Sequence, residues 1–367
     1  MNVNIFGQMN VTGVGRHIDN LFFALVRNRP AGVMINYVDP TRESSVRRMG
    51  AGVGSEDATI FLWRIGAQHL AGLAGRKIVW PYFESDRLPV GWVQDFAAYD
   101  EVWSPTRWGR DVLLAHGLAQ HRVKVVEAGV NPAIFHPQPV AHEGFVFLSV
   151  GKYENRKSID EIVRAFCAEF PRERNPHIRL NLKADYPLYP QRVAQLRARV
   201  AEDGRIDVVS GNLSDQAMAR LYNGADAFVF PSKSEGFGLP CIEALACGLP
   251  VIATAYSGQA TFLERIPGLF RPVEYRIAPL VDEDYARFYA RDYGGADFGR
   301  WAIPVPESLR QSMREVYDDA ASWRARADRA SKIIRDEFSW DVIARKSLTE
   351  LRNREPLSNI GHTTAGN

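Results

Sequence analysis

The sequence predicts an α/β protein built from two Rossmann-like, doubly wound parallel-sheet domains, and three observations carry that prediction. Short apolar strands alternate with amphipathic helical stretches along the chain, the pattern of βα units and therefore of parallel sheets. The length, 367 residues, exceeds what one hydrophobic core usually serves. In FHPQPVAHEG, prolines and a glycine break all periodicity, which places a domain boundary near 137–143.

The elements follow in order. MNVNIFG alternates as a first strand over 1–7, a Gly-containing loop covers 8–15, and a helix over 15–28 turns Leu21, Phe22, Leu25 and Val26 inward. Strand 58–63, a helix around 67–73, strand 76–82, a helix around 90–97 and strand 101–105 come next. They lead to a helix over 107–116 that Thr106 can cap and Gly117 ends. Strand 122–129 closes the first domain, 1–140. The second, 141–338, restarts with strand 145–151, helix 158–170, strand 177–184, helix 190–203, strand 205–211, helix 214–223 and strand 225–230. Beyond VIAT the pattern loosens, and 282–306 reads as an insertion or long loop. A terminal helix over 339–354 and a polar, loose tail over 355–367 complete the expectation.

Composition narrows the class. With 46% hydrophobic and 24% charged residues the chain is globular, and a net charge of +2 gives no reason to expect a nucleic-acid partner. Cys167, Cys241 and Cys247 lack ligand spacing to histidines, so buried free thiols in a reducing compartment are expected and no structural metal is implied. The opening residues lack a secretory leader, and no apolar run approaches the roughly 18 residues that span a bilayer. A cytoplasmic protein, with peripheral membrane contact allowed, is the expectation.

The most informative stretch is SKSEGFGLPCIEALACGLPVIAT, where Glu235 and Glu243 stand with seven residues between them. A strand runs here through a Gly-rich turn into a helix beginning near Pro240, the place where open α/β sheets bind ligands. Gly236 and Gly238 let backbone N–H groups come close to a bound molecule, and the helix N-terminus favours an anion. Two carboxylates, acceptors only, can hold vicinal hydroxyls. Singly, Glu243 could merely complement the helix dipole and Glu235 could be a solvated turn residue; the combination points to a site for a phosphorylated, polyhydroxylated ligand. Lys152 and Lys157 in VGKYENRKS follow a strand and could neutralise phosphates, with Arg156 as an alternative. Gly13 and Gly15 in TGVG form half of a dinucleotide-type fingerprint, weak on its own.

Segment 232–258 resembles the signature region of glycosyltransferase family 4, retaining nucleotide-sugar-dependent enzymes of the GT-B fold. TGVGRHIDNL, YDEVWSPTRWGRDVLLAHGL, VVEAGVNPAIFHP, VGKYENRKSIDEIVRAF and FSW add ordered matches along the chain, and the subgroup most resembled makes bacterial polysaccharides, mannosyltransferases among them. The resemblance implies transfer of a hexose from a GDP- or UDP-sugar to a glycan or lipid-linked glycan, with no metal or other cofactor. It implies that Glu235 touches the donor sugar with the backbone of Gly236, Phe237, Gly238 and Leu239, and that Glu243 clamps the ribose. Lys152, Lys157 and Arg156 would hold the diphosphate, and Gly13 and Gly15 would face the interdomain cleft. The nucleobase would lie against Ser210, Gly211, Asn212 and Leu213, a loop whose side chains do not discriminate uracil from guanine. The terminal helix would cross back to the first domain.

One departure stands out. Many members carry a cleft histidine in the first domain, where this chain reads WPYFESDRLP. Either Glu84 has a polar role in the cleft or it is a structural carboxylate paired with Arg87; His69 and His116 do not fill the gap. A glycosidase would need two carboxyls flanking one bond, roughly 5 to 10 Å apart, whereas the resemblance divides Glu235 and Glu243 between sugar and ribose. The remaining alternatives are a GT-B phosphorylase or epimerase, and a non-catalytic nucleotide-sugar-binding subunit.

Overall fold

The computed structural model describes residues 1–10, 13–42, 53–62, 64–70, 73–138, 140–185, 190–295 and 297–353; the expected tail over 355–367 lies outside the described residues. Two six-stranded parallel sheets dominate. The first contains β1 (Asn2–Phe6), β2 (Met34–Val38), β3 (Ala58–Phe61), β4 (Arg76–Val79), β5 (Glu101–Ser104) and β6 (Val123–Val125), in the order β2-β1-β3-β4-β5-β6. The second contains β7 (Phe145–Lys152), β8 (Ile178–Asp185), β9 (Ile206–Val209), β10 (Ala227–Phe230), β11 (Val251–Ala253) and β12 (Arg271–Pro272), in the order β12-β11-β10-β7-β8-β9. β3 and β10 are buried along their whole length, as strands covered by helices on both faces must be, which is why they read as unbroken apolar runs.

Strand order reverses between β1 and β3 in the first sheet and between β7 and β10 in the second. At such switch points adjacent connections leave on opposite faces and open a crevice beyond the strands' carboxyl ends. The helix after β1 opens at Gly13, so Gly13 and Gly15, expected in a loop over 8–15, stand in its first turn; the loops after β7 and β10 carry Arg156, Lys157 and Glu235. Topology alone therefore gathers these segments.

Helix Trp340–Arg352 packs along helix Gly13–Asn28 of the first half. Arg27 pairs with Asp341 at 3.0 Å, Asn28 donates to the same carboxylate at 2.7 Å, and the Trp340 ring lies 4.8 Å from that of His17. Arg76 donates to the carbonyls of Glu350 and Leu351, satisfying orphan acceptors at the helix end.

Four expectations need correction. MINYV, to which no element is assigned from the sequence, is β2; it is an edge strand with only Val38 buried, so it lacks a strong apolar signal. The stretch around 67–73 holds only a short 3-10 turn, Ala67–His69, with 71–72 outside the described residues. Cys167 is exposed on the solvent side of helix Ile159–Glu169, while Cys241 and Cys247 are buried.

The largest correction concerns 282–306, which is not a loop. Helix Glu283–Tyr293 is capped by Asp282 and closed by Gly294 at φ 63°, and it leads into β14 (Arg300–Pro304), antiparallel to β13 (Tyr275–Pro279). This arm has its own small core of Leu280, Phe298 and Trp301 packed with Tyr285 and Tyr293. It reaches the first half at the loop after β4. Trp301 Nε1 donates to the Glu84 carbonyl at 2.7 Å, Tyr293 Oη to the Arg87 carbonyl at 2.8 Å, and Arg300 to Asp86 at 2.7 Å. Arg87 pairs with Asp297, and Ser85 Oγ donates to the Phe298 carbonyl.

Candidate functional site

The turn after β10 is built around Glu235, which is 5% exposed. Its Oε1 accepts from Lys157 Nζ and from Ser232 Oγ, both at 2.5 Å, and its Oε2 lies 3.1 Å from Arg156 Nη1. Burial alone would raise its pKa; Lys157, then Arg156, outweigh that and hold it down to about 2. The backbone is fixed from behind, since Glu235 N donates to Ser257 Oγ at 2.8 Å and Gly258 N to the Glu235 carbonyl at 2.9 Å. A Cβ at Gly258 would stand 2.5 Å from that carbonyl, so only glycine fits. Gly238, at φ 96°, is the N-cap of helix Leu239–Ala246 with Pro240 in its first turn.

Arg156 joins the two halves. It donates to the Ser234 carbonyl at 2.7 Å, pairs with Glu154 at 3.2 Å and reaches Glu84 of the first half at 3.8 Å. Glu84 is therefore set toward the cleft; Arg87, the alternative partner, is taken by Asp297. Lys152 stays apart, with its side chain 56% exposed and 3.7 Å from Glu154. Buried Lys157 and largely buried Arg156 thus serve three carboxylates, and a diphosphate here would have to compete for Arg156.

Glu243 lies on the second turn of helix Leu239–Ala246, whereas a helix start near Pro240 would have put it in the first. It is 8% exposed and accepts from Tyr222 Oη at 2.9 Å. Burial, only partly offset by Arg16 and the Tyr222 bond, pushes its pKa up to about 7.

Facing this turn, the first half contributes Gly13, where a Cβ would sit 3.7 Å from Leu239 Cδ1, and Gly15, where a Cβ would overlap Asn10. Gly211, at φ 95°, has no atom within 4 Å of where a Cβ would stand and forms an open floor beside Asn212 and Leu213. Sequence reasoning missed three residues. Tyr82 packs on the signature turn, since a Cβ at Gly236 would meet its ring at 3.0 Å, and its hydroxyl bonds His17 Nδ1. His17, quoted in the first motif but assigned no role, is fully buried against Trp80 and Trp340, and burial lowers its pKa to about 3. Arg16, its neighbour, pairs with Asp215 at 3.0 Å and donates to the Leu213 carbonyl at 3.2 Å. Only the adjacency of Arg16 and His17 to Gly13 and Gly15 could have flagged them. His116 accepts from Leu88 N at 3.1 Å and so supports the Glu84 loop from below.

Known proteins are similar to this chain in sequence or in fold. A mannosylfructose-phosphate synthase of Agrobacterium fabrum is 29% identical over 197 residues, 49% of this chain and 41% of the relative. A D-inositol 3-phosphate glycosyltransferase of Pseudarthrobacter chlorophenolicus is 31% identical over 223 residues, 60% of this chain and 43% of the relative. The chain thus spans less than half the length of these curated relatives. Among solved structures, HepE of Anabaena in complex with UDP and glucose superposes with a TM-score of 0.68 at 14% identity, covering 96% of this chain and 99% of that one. Sucrose-phosphate synthase from Thermosynechococcus elongatus gives 0.68 at 16% identity, over 96% and 98%. The two facing parallel sheets are thus the GT-B fold, and residues 131–265, which carry both glutamates, match the family described as Glycosyl transferases group 1.

Proposed function

We propose that this protein is a retaining glycosyltransferase that moves a hexose from a nucleotide-diphosphate sugar to a glycan or lipid-linked glycan in polysaccharide assembly. The observation that carries the reading is Glu235: a buried carboxylate kept ionised between Lys157 and Arg156, on a glycine turn beside a helix N-terminus. In this reading Glu235 accepts from hydroxyls of the donor sugar, and the backbone N–H groups of Phe237 and Gly238 approach the same ring. The diphosphate takes over Arg156 from its longest partner, Glu84, and gathers Lys152, so cations and the helix end neutralise the leaving group without a required metal. Glu243 accepts from the ribose. The departing phosphate oxygen takes the acceptor hydroxyl proton on the face from which the sugar leaves, which gives retention. Tyr82 and Glu84 line the acceptor side. The complex of HepE with UDP and glucose supports a nucleotide sugar as the donor class.

Incubating the purified chain with nucleotide sugars and a panel of glycan acceptors, in buffer containing a chelator, tests this. Transfer with retained anomeric configuration by NMR is expected, reduced at least about hundredfold in Glu235→Gln. Full activity in that variant would remove Glu235 from its role. The second reading, a non-catalytic donor-binding subunit, draws on Tyr82 and Glu84 standing where a cleft histidine is usual; donor turnover by the chain alone would end it.

A further inference from the structure

The nucleobase loop carries no discriminating side chain in the sequence, yet the fold places a two-acceptor edge beside it. The Leu213 carbonyl ends the loop after β9, and Asp215 opens helix Asp215–Asn223. Ser214 caps that helix with its own hydroxyl, which accepts from Ala217 N at 3.2 Å, so the Asp215 carboxylate is not used as the cap. Both acceptors are met by one planar group: Arg16 donates from Nη2 to the Leu213 carbonyl at 3.2 Å, and its Nη1 forms an ion pair with Asp215 Oδ1 at 3.0 Å. Arg16 and Asp215 are accessible rather than sealed in, with side-chain exposures of 24% and 28%. The floor beside them at Gly211 is open, and Glu243, assigned to the ribose, interacts electrostatically with both Arg16 and Asp215.

A guanidinium presenting two parallel N–H groups is a chemical description of one edge of one nucleobase. Guanine contains a guanidine unit, and its N1–H and N2–H donate side by side in one plane. Uracil and thymine present a single N–H flanked by two carbonyls, which would set an oxygen against the Asp215 carboxylate. Adenine and cytosine present one amino donor next to a ring acceptor, again mismatched at one position. Sites that leave a polar partner unpaired reject such analogues strongly.

We infer that the donor's base is guanine, its N1–H and N2–H edge read by the Leu213 carbonyl and the Asp215 carboxylate, two acceptors that the two terminal nitrogens of the Arg16 guanidinium already meet together. The inference rests on the nucleotide-sugar reading above and narrows it to guanosine-diphosphate sugars. Base and Arg16 compete for these acceptors, so Arg16 leaves Leu213 and Asp215 as the base arrives, and Asp215 becomes the specificity-determining residue.

The test is calorimetric titration of the full chain, native and Asp215→Asn, with GDP, UDP, ADP, IDP and xanthosine diphosphate. Native protein is expected to prefer GDP over UDP and ADP by at least about tenfold, and over IDP, which lacks only the N2 amino group, by about tenfold. In Asp215→Asn the GDP preference should collapse while xanthosine diphosphate, whose O2 can accept from the new amide, gains affinity; a merely misfolded variant gains nothing. UDP or ADP binding as tightly as GDP to the native chain overturns guanine and leaves the nucleotide-sugar reading standing. An unchanged GDP preference in Asp215→Asn overturns the role of Asp215. Binding of none of the five overturns the nucleotide-sugar reading itself.

Discussion

Glu235 and Glu243 sit on one turn and the helix that follows it, both almost fully buried, yet their environments drive them in opposite directions. Glu235 has two cations and a hydroxyl on its oxygens and stays ionised to about pH 2; Glu243 has one phenol and a partly exposed guanidinium nearby and titrates at about 7. Desolvation acts on both, so the difference lies in what each carboxylate faces. Glu235 is compensated within the protein and can serve as a fixed electrostatic group. Glu243 is under-compensated, which suits a group whose partners are the hydroxyls of an arriving ribose.

The most direct way to break this contrast is Glu235→Ala. Removing it strands Lys157 in a buried site with no carboxylate on its Nζ, a situation that typically costs about 3–5 kcal/mol. Denaturant unfolding should show that loss together with an activity drop of at least about hundredfold, whereas Glu243→Ala should show a far smaller loss of stability. Equal destabilisation by the two variants would erase the distinction.

Glu243→Gln sharpens it through pH. In the folded chain Glu243 keeps a proton to about 7, against an ordinary value near 4.5, so between these values the native state binds more protons than the unfolded state. Stability from this group is therefore present below about 4.5 and lost as pH rises toward 7, by at most about 3 kcal/mol. Glu235 has the opposite sign: its contribution is full above 4.5 and lost as pH falls toward 2. Subtracting the unfolding free energy of Glu243→Gln from that of the native chain at pH 5 and again at pH 8 cancels other titrating groups. The native chain should lose ground to the variant at pH 8. Nucleotide binding should follow the reverse course, weakening in the native chain below about pH 7 as the carboxylate protonates.

A smaller effect belongs to the arm. Trp301→Phe deletes the N–H that holds the Glu84 carbonyl, at a cost of about 1 kcal/mol, while leaving an aromatic ring in the arm's core. Because the Trp301 bond holds the loop bearing Glu84 rather than either donor-side glutamate, the KM for acceptor should rise severalfold with nucleotide affinity unchanged. A matching loss of nucleotide affinity would show that the arm shapes the donor pocket as well.

How much of this was legible beforehand follows from the range of the forces. The Glu235 turn was readable because its glycines, its proline and the following helix act locally, and Thr106 capped its helix as expected, accepting from Gly109 N at 2.8 Å. What escaped depends on contacts distant in sequence. β2 is held by an edge pairing to β1, and the arm by aromatic packing and hydrogen bonds to residues some two hundred positions earlier. Arg16 and Asp215 meet across the cleft, so neither motif alone could announce the pair. The division of labour among Arg156, Lys157 and Lys152 was likewise invisible, since three cations in one loop differ only in where the β7 end turns each of them.

Those cations give the finest test. Lys152 ends β7 with more than half of its side chain in solvent and an ion pair at 3.7 Å, which contributes no more than about 0.5 kcal/mol. Lys152→Ala should therefore leave the unfolding midpoint within about 2 °C of native. If Lys152 gathers the diphosphate as a solvated charge, the variant's donor KM rises a few-fold at low salt, and the gap narrows as ionic strength shortens the Debye length below about 10 Å. The kcat should stay near native, because an exposed lysine loses to water what it would add at the transition state. Lys157→Ala, by contrast, leaves Glu235 beside Arg156 and Ser232 but short of one buried cation, and its effect on kcat should not respond to salt. A salt-independent loss of kcat in Lys152→Ala would show that the exposed lysine closes onto the leaving group during the reaction, and the division between buried and solvated cations would then describe only the resting protein.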